Sequence, residues 1–506
     1  MYDNRPMSAV RRRSAGVRVE WQHDRCVRRR FDIRRSHQSG TSFKYRFVSH
    51  EPLSPAITYP HVSRDPIHHF IGFSTEERKV IDSWPVQRLR QIHQLAMTAL
   101  VYPGATNSRF EHSLGVMHMA SQIYDVVTDP ENLTDRIRQL IPEVHDHQKL
   151  THWRAILRMA ALCHDIGHPP YSHAADRLLP KGWTHERLSY ELIMGDEMKR
   201  VWDGLDPYLR PDLIAKLAIG ANEMSKFAKI QFSTWEALLS ELIVGDFFGA
   251  DRMDYLLRDS YHAGVAYGQF DHFRLIATIR ILPPPPERGG KAKPAAESAD
   301  EQSSEPALGV EVGGLEVAQS MLLARMFMFS QVYYHPTRLI YDKHLLDFLK
   351  EWFGGEYPTD LTTHLSLTDN EVMVALLSAN RDDQAPGHQA AEAILERRHF
   401  RVFFELTPKF DEYLEPTQQV YEAACDRFGI EQVRKAEQKV SLADLDYPVL
   451  MRDNQVASAT SLSVVQQLKP KTYEYVFIKP ELRKEAQEWL KKNYASVITK
   501  KKDEPE

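Results

Sequence analysis

The chain has 506 residues, of which 42% are hydrophobic and 26% are charged, an ordinary composition for a globular protein. This length exceeds what one hydrophobic core usually organises and favours two or three domains. The sequence has no run of 18 apolar residues and no apolar stretch behind the N-terminal charges, so we expect neither a transmembrane helix nor a secretory signal. Three scattered cysteines argue against a disulfide framework and favour a reducing cytoplasm.

The net charge of −5 conceals a basic N-terminus. Residues 1–50 contain 13 Lys and Arg against 4 Asp and Glu, a local charge of +9, so the remainder carries −14. We predict a disordered, solvated tail at residues 1–48, because this segment is rich in Arg and shows little hydrophobic periodicity. The alternative is a weak contact with nucleic acid, since basic arms neutralise phosphates.

Helices dominate the predicted elements up to about residue 400. The first elements are a strand at 66–70, a helix at 76–83 behind a capping box that starts at Ser74, and a helix that begins at Pro85. Further helices are predicted at 109–127, 153–164, 185–196, 234–248, 250–264 and 270–280. A long helical pattern covers 315–352. Strands at 401–405 and 473–478 and a last helix at 480–493 then predict a small α+β portion.

The strongest chemical signal is the adjacent pair His164 and Asp165 at a helix end, which a Gly-His-Pro-Pro break supplies. A neutral imidazole and a carboxylate both suit a divalent cation. Neighbouring side chains do not share a helical face, so both reach one ion only near a helix end. His112 and Asp251, on predicted helices far apart in sequence, are the candidates for two more ligands. Two His and two Asp leave coordination positions open, which is typical of a catalytic metal site.

The ordinary interpretation of such a pair alone is a helix-ending histidine beside a solvated aspartate. The surrounding sequence favours a reactive site instead, because residues 164–186 hold four histidines and three carboxylates. They are His164, His168, His173, His185, Asp165, Asp176 and Glu186.

Several motifs, in order, resemble the HD-domain deoxynucleoside triphosphate (dNTP) triphosphohydrolases, and among them the branch of the sterile-alpha-motif HD-domain dNTPase. The motifs are Gln87–Leu95, Tyr102–Val116, Leu162–His173, Asp251–Ser260, and Arg325 with Tyr333–Pro336. The resemblance covers about residues 65–350. It implies a mostly α fold with an HD-domain helical bundle core, one divalent metal ion, and hydrolysis of dNTPs to deoxynucleoside and triphosphate.

The resemblance also implies a role for each matching residue. The metal ligands would be His112, His164, Asp165 and Asp251. The phosphate-cleaving centre would contain His168, His173, His185, Glu186 and Asp176, with His173 nearest to the attacked phosphate or the leaving oxygen. Arg109, Arg252 and Arg325 would hold the triphosphate. Gln94 and Leu95 would contact the sugar and base, and Tyr255, Asp259 and Tyr333 would complete the sugar pocket.

With this resemblance, five regions are predicted. They are the basic tail at 1–48, an HD phosphohydrolase core at 49–282, a flexible Pro/Gly/Ser-rich insertion at 283–310, a helical continuation of the catalytic region at 311–398, and an α+β region at 399–506. Two positions depart from the branch. Phe329 stands where it has a His, and Pro336 where its effector region has a Lys, so nucleotide-activated tetramer assembly does not follow from the resemblance.

We expect a cytoplasmic homo-oligomer, a dimer or tetramer, with a dNTP substrate and no membrane partner, and we leave a nucleotide effector open. The ligand types suit Mn, Fe, Zn or Ni about equally and Mg less well. Two other functions also stay open. One is an HD phosphohydrolase acting on a monophosphate, a cyclic dinucleotide or an alarmone, against which the sugar-pocket residues argue. The other is a nucleotide- or nucleic-acid-binding regulator with little turnover, against which the intact His–Asp set argues.

Overall fold

The computed structural model describes residues 59–205, 207–283, 305–410, 412–440, 446–463 and 471–499, and of His173 only the backbone. These residues all fall in one compact unit. The tail predicted at 1–48 lies outside the described residues, as does the insertion predicted at 283–310 except for its ends. The predicted domain boundaries stay predictions.

The described chain is mostly α-helical, which confirms the predicted fold class. The N-terminal helices are α1 (Thr75–Ile81), α2 (Trp84–Arg88), α3 (Arg109–Val127), α4 (Asp135–Leu140), α5 (His147–Cys163), α6 (His173–Asp176) and α7 (His185–Met194). The next are α8 (Asp196–Trp202), α9 (Pro211–Ile219), α10 (Ala221–Met224), α11 (Thr234–Val244), α12 (Ala250–Ala263) and α13 (His272–Thr278). The last are α14 (Leu315–Met328), α15 (Pro336–Trp352), α16 (Leu361–Ser366), α17 (Asp369–Ala379), α18 (His388–Leu395), α19 (Pro416–Phe428), α20 (Ala459–Leu462) and α21 (Arg483–Val497).

Helix α3 is the centre of the bundle. Fourteen of its 19 residues are buried, because it packs against α5 and α12 and also contacts α11 and α13. A helix that is enclosed on most sides belongs to a core rather than a surface. Gly115 lets α3 and α12 approach closely, since a Cβ atom at this position would collide with the carboxylate of Asp254. This close approach brings the functional side chains of the two helices together.

Local capping explains where two helices begin. The Ser74 side chain accepts from the backbone of Glu77 and the Glu77 side chain accepts from the backbone of Ser74, so the predicted capping box of α1 is confirmed. Helix α5 begins six residues before the predicted Trp153, because the Asp146 side chain accepts from backbone N–H groups of its first turn. Its other end, at Cys163, leaves His164 and Asp165 directly after the helix.

The strand predicted at residues 66–70 is misplaced. The structure has an antiparallel hairpin of β1 (His61–Asp65) and β2 (His69–Phe73), and residues 66–68 form its turn. The Asp65 carboxylate accepts from the backbone N–H groups of Ile67 at 2.9 Å and His68 at 2.8 Å, which stabilises the turn.

The long helical pattern predicted at 315–352 is interrupted. Helix α14 ends at Met328, residues 329–333 form a π-helical turn, and α15 starts anew at Pro336. Proline has no N–H group and favours the first turn of a helix, which accounts for the restart. A π-helical turn often marks a functional position, and this one carries Tyr333.

By length and composition, Val312–Tyr333 is apolar enough to cross a membrane, with a mean hydropathy of 1.2. This is weak evidence for a membrane span, because buried helices of compact proteins pass the same test. Met321, Leu322 and Met328 of this segment are buried in the main hydrophobic core.

Three small sheets complete the described fold. The first is the β1–β2 hairpin. The second has the order β3 (Ile279–Leu282), β4 (Ala307–Glu311), β7 (Pro448–Leu450), β8 (Val456–Ser458), and the third has the order β5 (Arg401–Glu405), β9 (Lys471–Ile478), β6 (Val433–Val440). Helices α19 and α21 pack on the third sheet. The predicted small α+β portion near the C-terminus is thereby confirmed.

Candidate functional site

Four side chains converge where α3, the end of α5 and the start of α12 meet. They are His112, His164, Asp165 and Asp251, called the first histidine group below. The Nε2 atom of His112 lies 2.9 Å from Asp251 Oδ1 and 3.8 Å from Asp165 Oδ2. The Nε2 atom of His164 lies 3.6 Å from Asp251 Oδ1 and 3.4 Å from Asp165 Oδ1. Two nitrogens and two carboxylates therefore face one small volume.

The orientation of His112 is set by Asp254, one turn further along α12 than Asp251. The Nδ1–H group of His112 donates to Asp254 at 2.8 Å, which leaves Nε2 turned toward Asp251. Asp254 in turn accepts from Arg258 at 2.8 Å and from His68 at 2.7 Å. Burial opposes a charged imidazole, but the hydrogen bonds to Asp251 and Asp254 outweigh it and raise the pKa of His112 to about 10.

Sequence reasoning missed Asp254 and Arg258 as functional residues. Both are fully buried. Their spacing of three and seven residues from Asp251 puts all three on one helical face, and this was the signal that could have found them. A carboxylate that fixes the far nitrogen of a ligand histidine is the usual outer partner of a metal site.

The arrangement of His164 fits a divalent cation. Its Nδ1–H group donates to the carbonyl of Ala161 at 2.8 Å, so Nε2 carries the lone pair. This Nε2 atom is buried and has no hydrogen-bond partner among the described residues. Buried polar atoms are rarely left unpaired without a ligand. The ligand atoms of His112, His164 and Asp165 all lie within 4.8 Å of one another, as a shared ion requires.

A second histidine group adjoins the first and consists of His168, Asp176, His185 and Glu186. The His168 and His185 rings stack with centroids 3.9 Å apart. The two ring nitrogens of His185 face carboxylates, Asp176 at 3.0 Å and Glu186 at 3.2 Å. Gly167 allows this approach, because a Cβ atom there would collide with the backbone of α7 at His185 and Ser189.

The stacked histidines differ in charge. Burial opposes a charged His185, but Asp176 and Glu186 prevail and raise its pKa to about 9. Burial, Arg109 and His185 together lower the pKa of His168 well below its usual value, although its Nε2 atom lies 3.3 Å from Asp165. At neutral pH the pair is therefore one imidazolium stacked on one neutral imidazole.

Arg109 connects the first histidine group to the turn before α6. Its guanidinium donates to Asp165, and its Nε–H group donates to Ser172 Oγ at 2.7 Å. Burial would raise the pKa of Asp165, but His164 and Arg109 hold it well below the usual range. His173 is the first residue of α6, and its side chain lies outside the described part of the structure.

A cavity of about 370 Å³ opens onto both histidine groups. The predicted site residues in its wall are Gln94, Leu95, Arg109, Asp165, His168, His185, Asp251, Tyr255, Asp259 and Tyr333. Its other polar or aromatic residues are Arg177, Phe329, Tyr334, Arg338, Asp342 and Gln438. Gln438 comes from β6, and no local signal could place this strand beside a helical site. One cavity thus joins the predicted ligands to the predicted sugar-contacting residues.

The far part of the cavity is built around Asp259. Its carboxylate accepts from the Asn107 side chain and from the Tyr333 hydroxyl, both at 2.9 Å. The Tyr255 and Tyr333 rings meet edge to face with centroids 6.1 Å apart. Burial raises the pKa of Asp259 to about 6, although the hydrogen bonds from Asn107 and Tyr333 oppose the rise.

Arg252 and Arg325 are not among the residues that line this cavity. The Arg252 guanidinium donates to the backbone carbonyl and the side chain of Asp246. Burial and the nearby charge of Arg252 lower the pKa of Arg325. The Nε atoms of both arginines are buried without a hydrogen-bond partner among the described residues.

Comparison with protein families matches residues 109–217 to the HD domain and residues 301–433 to the HD associated region. An uncharacterized protein of Methanocaldococcus jannaschii is 35% identical over 281 residues, 56% of this chain and 47% of that protein. The deoxynucleoside triphosphate triphosphohydrolase SAMHD1 of Mus musculus is 33% identical over 244 residues, 44% of this chain and 34% of that protein. The Homo sapiens protein of the same name is 28% identical over 380 residues, which make up 68% of this chain and 54% of that protein. The chain thus matches about half the length, or less, of these curated relatives.

Two solved structures share the fold. A hypothetical protein from Aquifex aeolicus superimposes with a TM-score of 0.67 at 29% identity, covering 85% of this chain and 99% of that one. A phosphohydrolase from Bacteroides thetaiotaomicron gives a TM-score of 0.60 at 22% identity, covering 83% and 99%. HD domains bind divalent metals, and the first histidine group is a candidate for that role. The chain contains an HD domain followed by an HD associated region, and deoxynucleoside triphosphate triphosphohydrolases are among its distant relatives.

Proposed function

We propose that this protein hydrolyses dNTPs to deoxynucleoside and triphosphate with one divalent metal ion. The observation that carries the proposal is the shared cavity, whose wall contains Asp165 and Asp251 as well as Asp259, Tyr255 and Tyr333. A nucleotide whose phosphates lie at Asp165 and Asp251 would have its sugar beside Asp259, Tyr255 and Tyr333. The names of the curated relatives SAMHD1 support the same substrate class.

The phosphate end has the charges that a triphosphate needs. Arg109 lines the cavity and is buried beside Asp165. Arg252 and Arg325 have buried Nε–H groups without a partner among the described residues but do not line the cavity, so their contact with the triphosphate stays a prediction. Guanidinium groups bind phosphates through charge-assisted hydrogen bonds. A divalent ion, when bound by His112, His164, Asp165 and Asp251, supplies Lewis-acid activation of water and neutralises phosphate charge.

The sugar end favours a deoxynucleoside. The Asp259 carboxylate is a buried acceptor, suited to a sugar hydroxyl donor. The ring of Tyr333 is held by its hydroxyl bond to Asp259 and packs against Tyr255. A ring fixed in this way against C2′ of the sugar would exclude a ribose hydroxyl by steric clash. This feature favours dNTPs over ribonucleotide substrates such as alarmones and cyclic ribonucleotides.

The second histidine group is suited to hold and pass a proton. His185 keeps its proton at neutral pH because two carboxylates face its ring, whereas the stacked His168 stays neutral. A positioned acid or base of this kind typically contributes about 10²- to 10⁴-fold to a rate. The role of His173 as the residue that protonates the leaving oxygen stays a prediction.

A product analysis tests the proposal. The purified protein is stripped with a chelator, reloaded with one metal at a time, and incubated with dNTPs, ribonucleoside triphosphates, dNMPs, a cyclic dinucleotide and an alarmone. We expect deoxynucleoside and inorganic triphosphate in equal amounts from dNTPs. Orthophosphate released from dNMPs alone, or turnover of the alarmone or cyclic dinucleotide alone, would favour the other phosphohydrolase functions and refute this one. Binding without turnover of any nucleotide would favour the regulator.

The cytoplasmic location, the homo-oligomer, the nucleotide effector and the metal's identity stay predictions. The tail at residues 1–48 is tested separately by its deletion. We expect unchanged dNTPase activity and unchanged affinity for nucleic acid, as for a solvated extension. A loss of nucleic-acid affinity would establish the alternative contact.

A further inference from the structure

The first turn of α17 with the residues before it, Leu367–Asn370, joins two loops that border the cavity. We call it the 367–370 turn. It lies in the HD associated region and outside the segment that matches the HD domain. One of the two loops is residues 92–95, here the substrate loop, and the other is residues 168–172, here the catalytic turn. The two loops are about 80 residues apart in sequence.

Asp369 makes the connection. Only 2% of this residue is exposed, and its carboxylate accepts three hydrogen bonds. Oδ1 accepts from the backbone N–H of Tyr171 at 2.7 Å. Oδ2 accepts from the backbone N–H of His93 at 2.9 Å and from its Nδ1–H at 2.6 Å. One buried charge thus satisfies donors from both loops, and charge-assisted bonds of this kind are stronger than neutral ones.

The catalytic turn needs such support because its backbone is strained. Tyr171 and Ser172 have φ values of 53° and 52°, in the left-handed region that side chains other than glycine rarely adopt. Strained residues persist only where their surroundings over-determine them. Asp369 holds the N–H of Tyr171, and Arg109 holds the hydroxyl of Ser172. The next residue is His173, so the strained pair sets where α6 begins.

The substrate loop is held at the same point. His93 directly precedes Gln94 and Leu95, which line the cavity. The His93 ring lies nearly parallel to the Tyr171 ring, at 15° with centroids 6.4 Å apart. Buried Arg88 also connects the 367–370 turn to the catalytic turn, because it donates to the carbonyls of Leu367 and His168, both at 2.9 Å.

From this geometry we infer that Asp369 is a positioning residue, which fixes the catalytic turn and the substrate loop in one arrangement. The inference rests on the proposed function for its kinetic consequence, because the two loops carry the residues assigned to proton transfer and to substrate contact. Small displacements of positioned groups can reduce a rate about 100-fold. The HD associated region would then take part in assembling the site.

The test compares two substitutions on the same helix turn. Asp369→Asn keeps the shape of the side chain but removes its charge and one acceptor. Glu371→Gln is the matched control, because Glu371 caps α17 through Thr368 and has no hydrogen bond to either loop. For both variants we would measure kcat, KM, metal content, melting temperature and hydrogen exchange of the His93 and Tyr171 amides.

For Asp369→Asn we expect kcat to fall about 100-fold with a smaller change in KM, unchanged metal content, and faster exchange of both amides. For Glu371→Gln we expect kcat within about twofold of the wild type and unchanged exchange at His93 and Tyr171. Equal losses of kcat in the two variants would overturn the inference, since they would indicate only a damaged helix start. Unchanged kcat in Asp369→Asn would overturn it as well.

The exchange measurement separates this inference from the proposed function. If the wild type releases no triphosphate, the dNTPase proposal fails, but exchange at His93 and Tyr171 can still be compared between the variants. Faster exchange of both amides in Asp369→Asn alone would support the positioning role for whatever substrate the cavity takes. Unchanged exchange at either amide would contradict it.

Discussion

The two histidine groups contain the same residue types, but His164 of the first and His185 of the second differ in what faces their ring nitrogens. In the first group, the Ala161 carbonyl accepts from the Nδ1–H group of His164, so its Nε2 atom faces the shared volume without a hydrogen-bond partner among the described residues. In the second group, both nitrogens of His185 face carboxylates. For His164 and His185, the acceptors around the ring therefore decide whether the imidazole offers a lone pair or keeps a proton.

The comparison predicts its largest effect for the first group. We expect the double change His164→Ala with Asp165→Ala to abolish metal binding and to reduce turnover about 1000-fold or more, because ligands on both sides of the shared volume are lost. Metal content by mass spectrometry and dNTP turnover are the measurements. Retained metal with retained turnover would refute the assignment of this group as the metal site.

The second group should separate activity from metal binding. We expect His185→Gln to reduce kcat about 100-fold while metal content stays at the wild-type level, because we assign His185 to proton transfer and the metal ion to the first group. This variant also serves as the control for the first prediction. If His185→Gln loses the metal too, the two groups do not have the distinct roles described above.

An intermediate effect is expected for Asp254, which is not a member of the first group but contacts His112. Asp254→Asn removes the charge that orients His112 and should weaken metal affinity about 10- to 100-fold, with the ligands themselves intact. Metal titration of the stripped protein measures this, and circular dichroism checks that the fold is kept. An unchanged affinity would mean that His112 is oriented without Asp254.

The smallest effect is a pH dependence of stability from Asp259. Its folded pKa of about 6 lies above the value near 4 of an unfolded aspartate, so the folded protein binds this proton more tightly. The stability that this proton provides is present below about pH 4 and is lost as pH rises through 6. In Asp259→Asn this titration is absent. The melting temperature of the variant relative to the wild type should therefore rise by a few degrees, about 3 °C, between pH 4 and pH 7. Parallel curves for the two proteins would contradict this account.

The structure brings the four predicted ligands of the first group together, and local patterns in the sequence indicate their positions on the helices, while their role as ligands stays a prediction. His112 follows a turn and a capping box, and His164 and Asp165 stand at a marked helix end. Partners that depend on tertiary packing were missed. Asp369 and Gln438 reach the site from α17 and β6, and nothing in their local sequence indicates which surface they will contact.

The strand predicted at residues 66–70 is misplaced for a related reason. Residues 66–70 have strand-like side chains, but Asp65 binds the following backbone N–H groups and turns the chain. The interruption at Pro336 was visible in the sequence as a proline inside a helical pattern. Its consequence, a π-helical turn that directs Tyr333 to Asp259, required the structure.

The most direct test of the central claim is hydrolysis of a dNTP in ¹⁸O-labelled water by the metal-loaded protein. Attack of water on the phosphorus next to the sugar would put one ¹⁸O atom in the released triphosphate and none in the deoxynucleoside, as read by mass spectrometry. This is the result that we predict, and it should disappear in the His164→Ala, Asp165→Ala variant. Label in orthophosphate or pyrophosphate, with a nucleotide as the other product, would contradict a dNTP triphosphohydrolase.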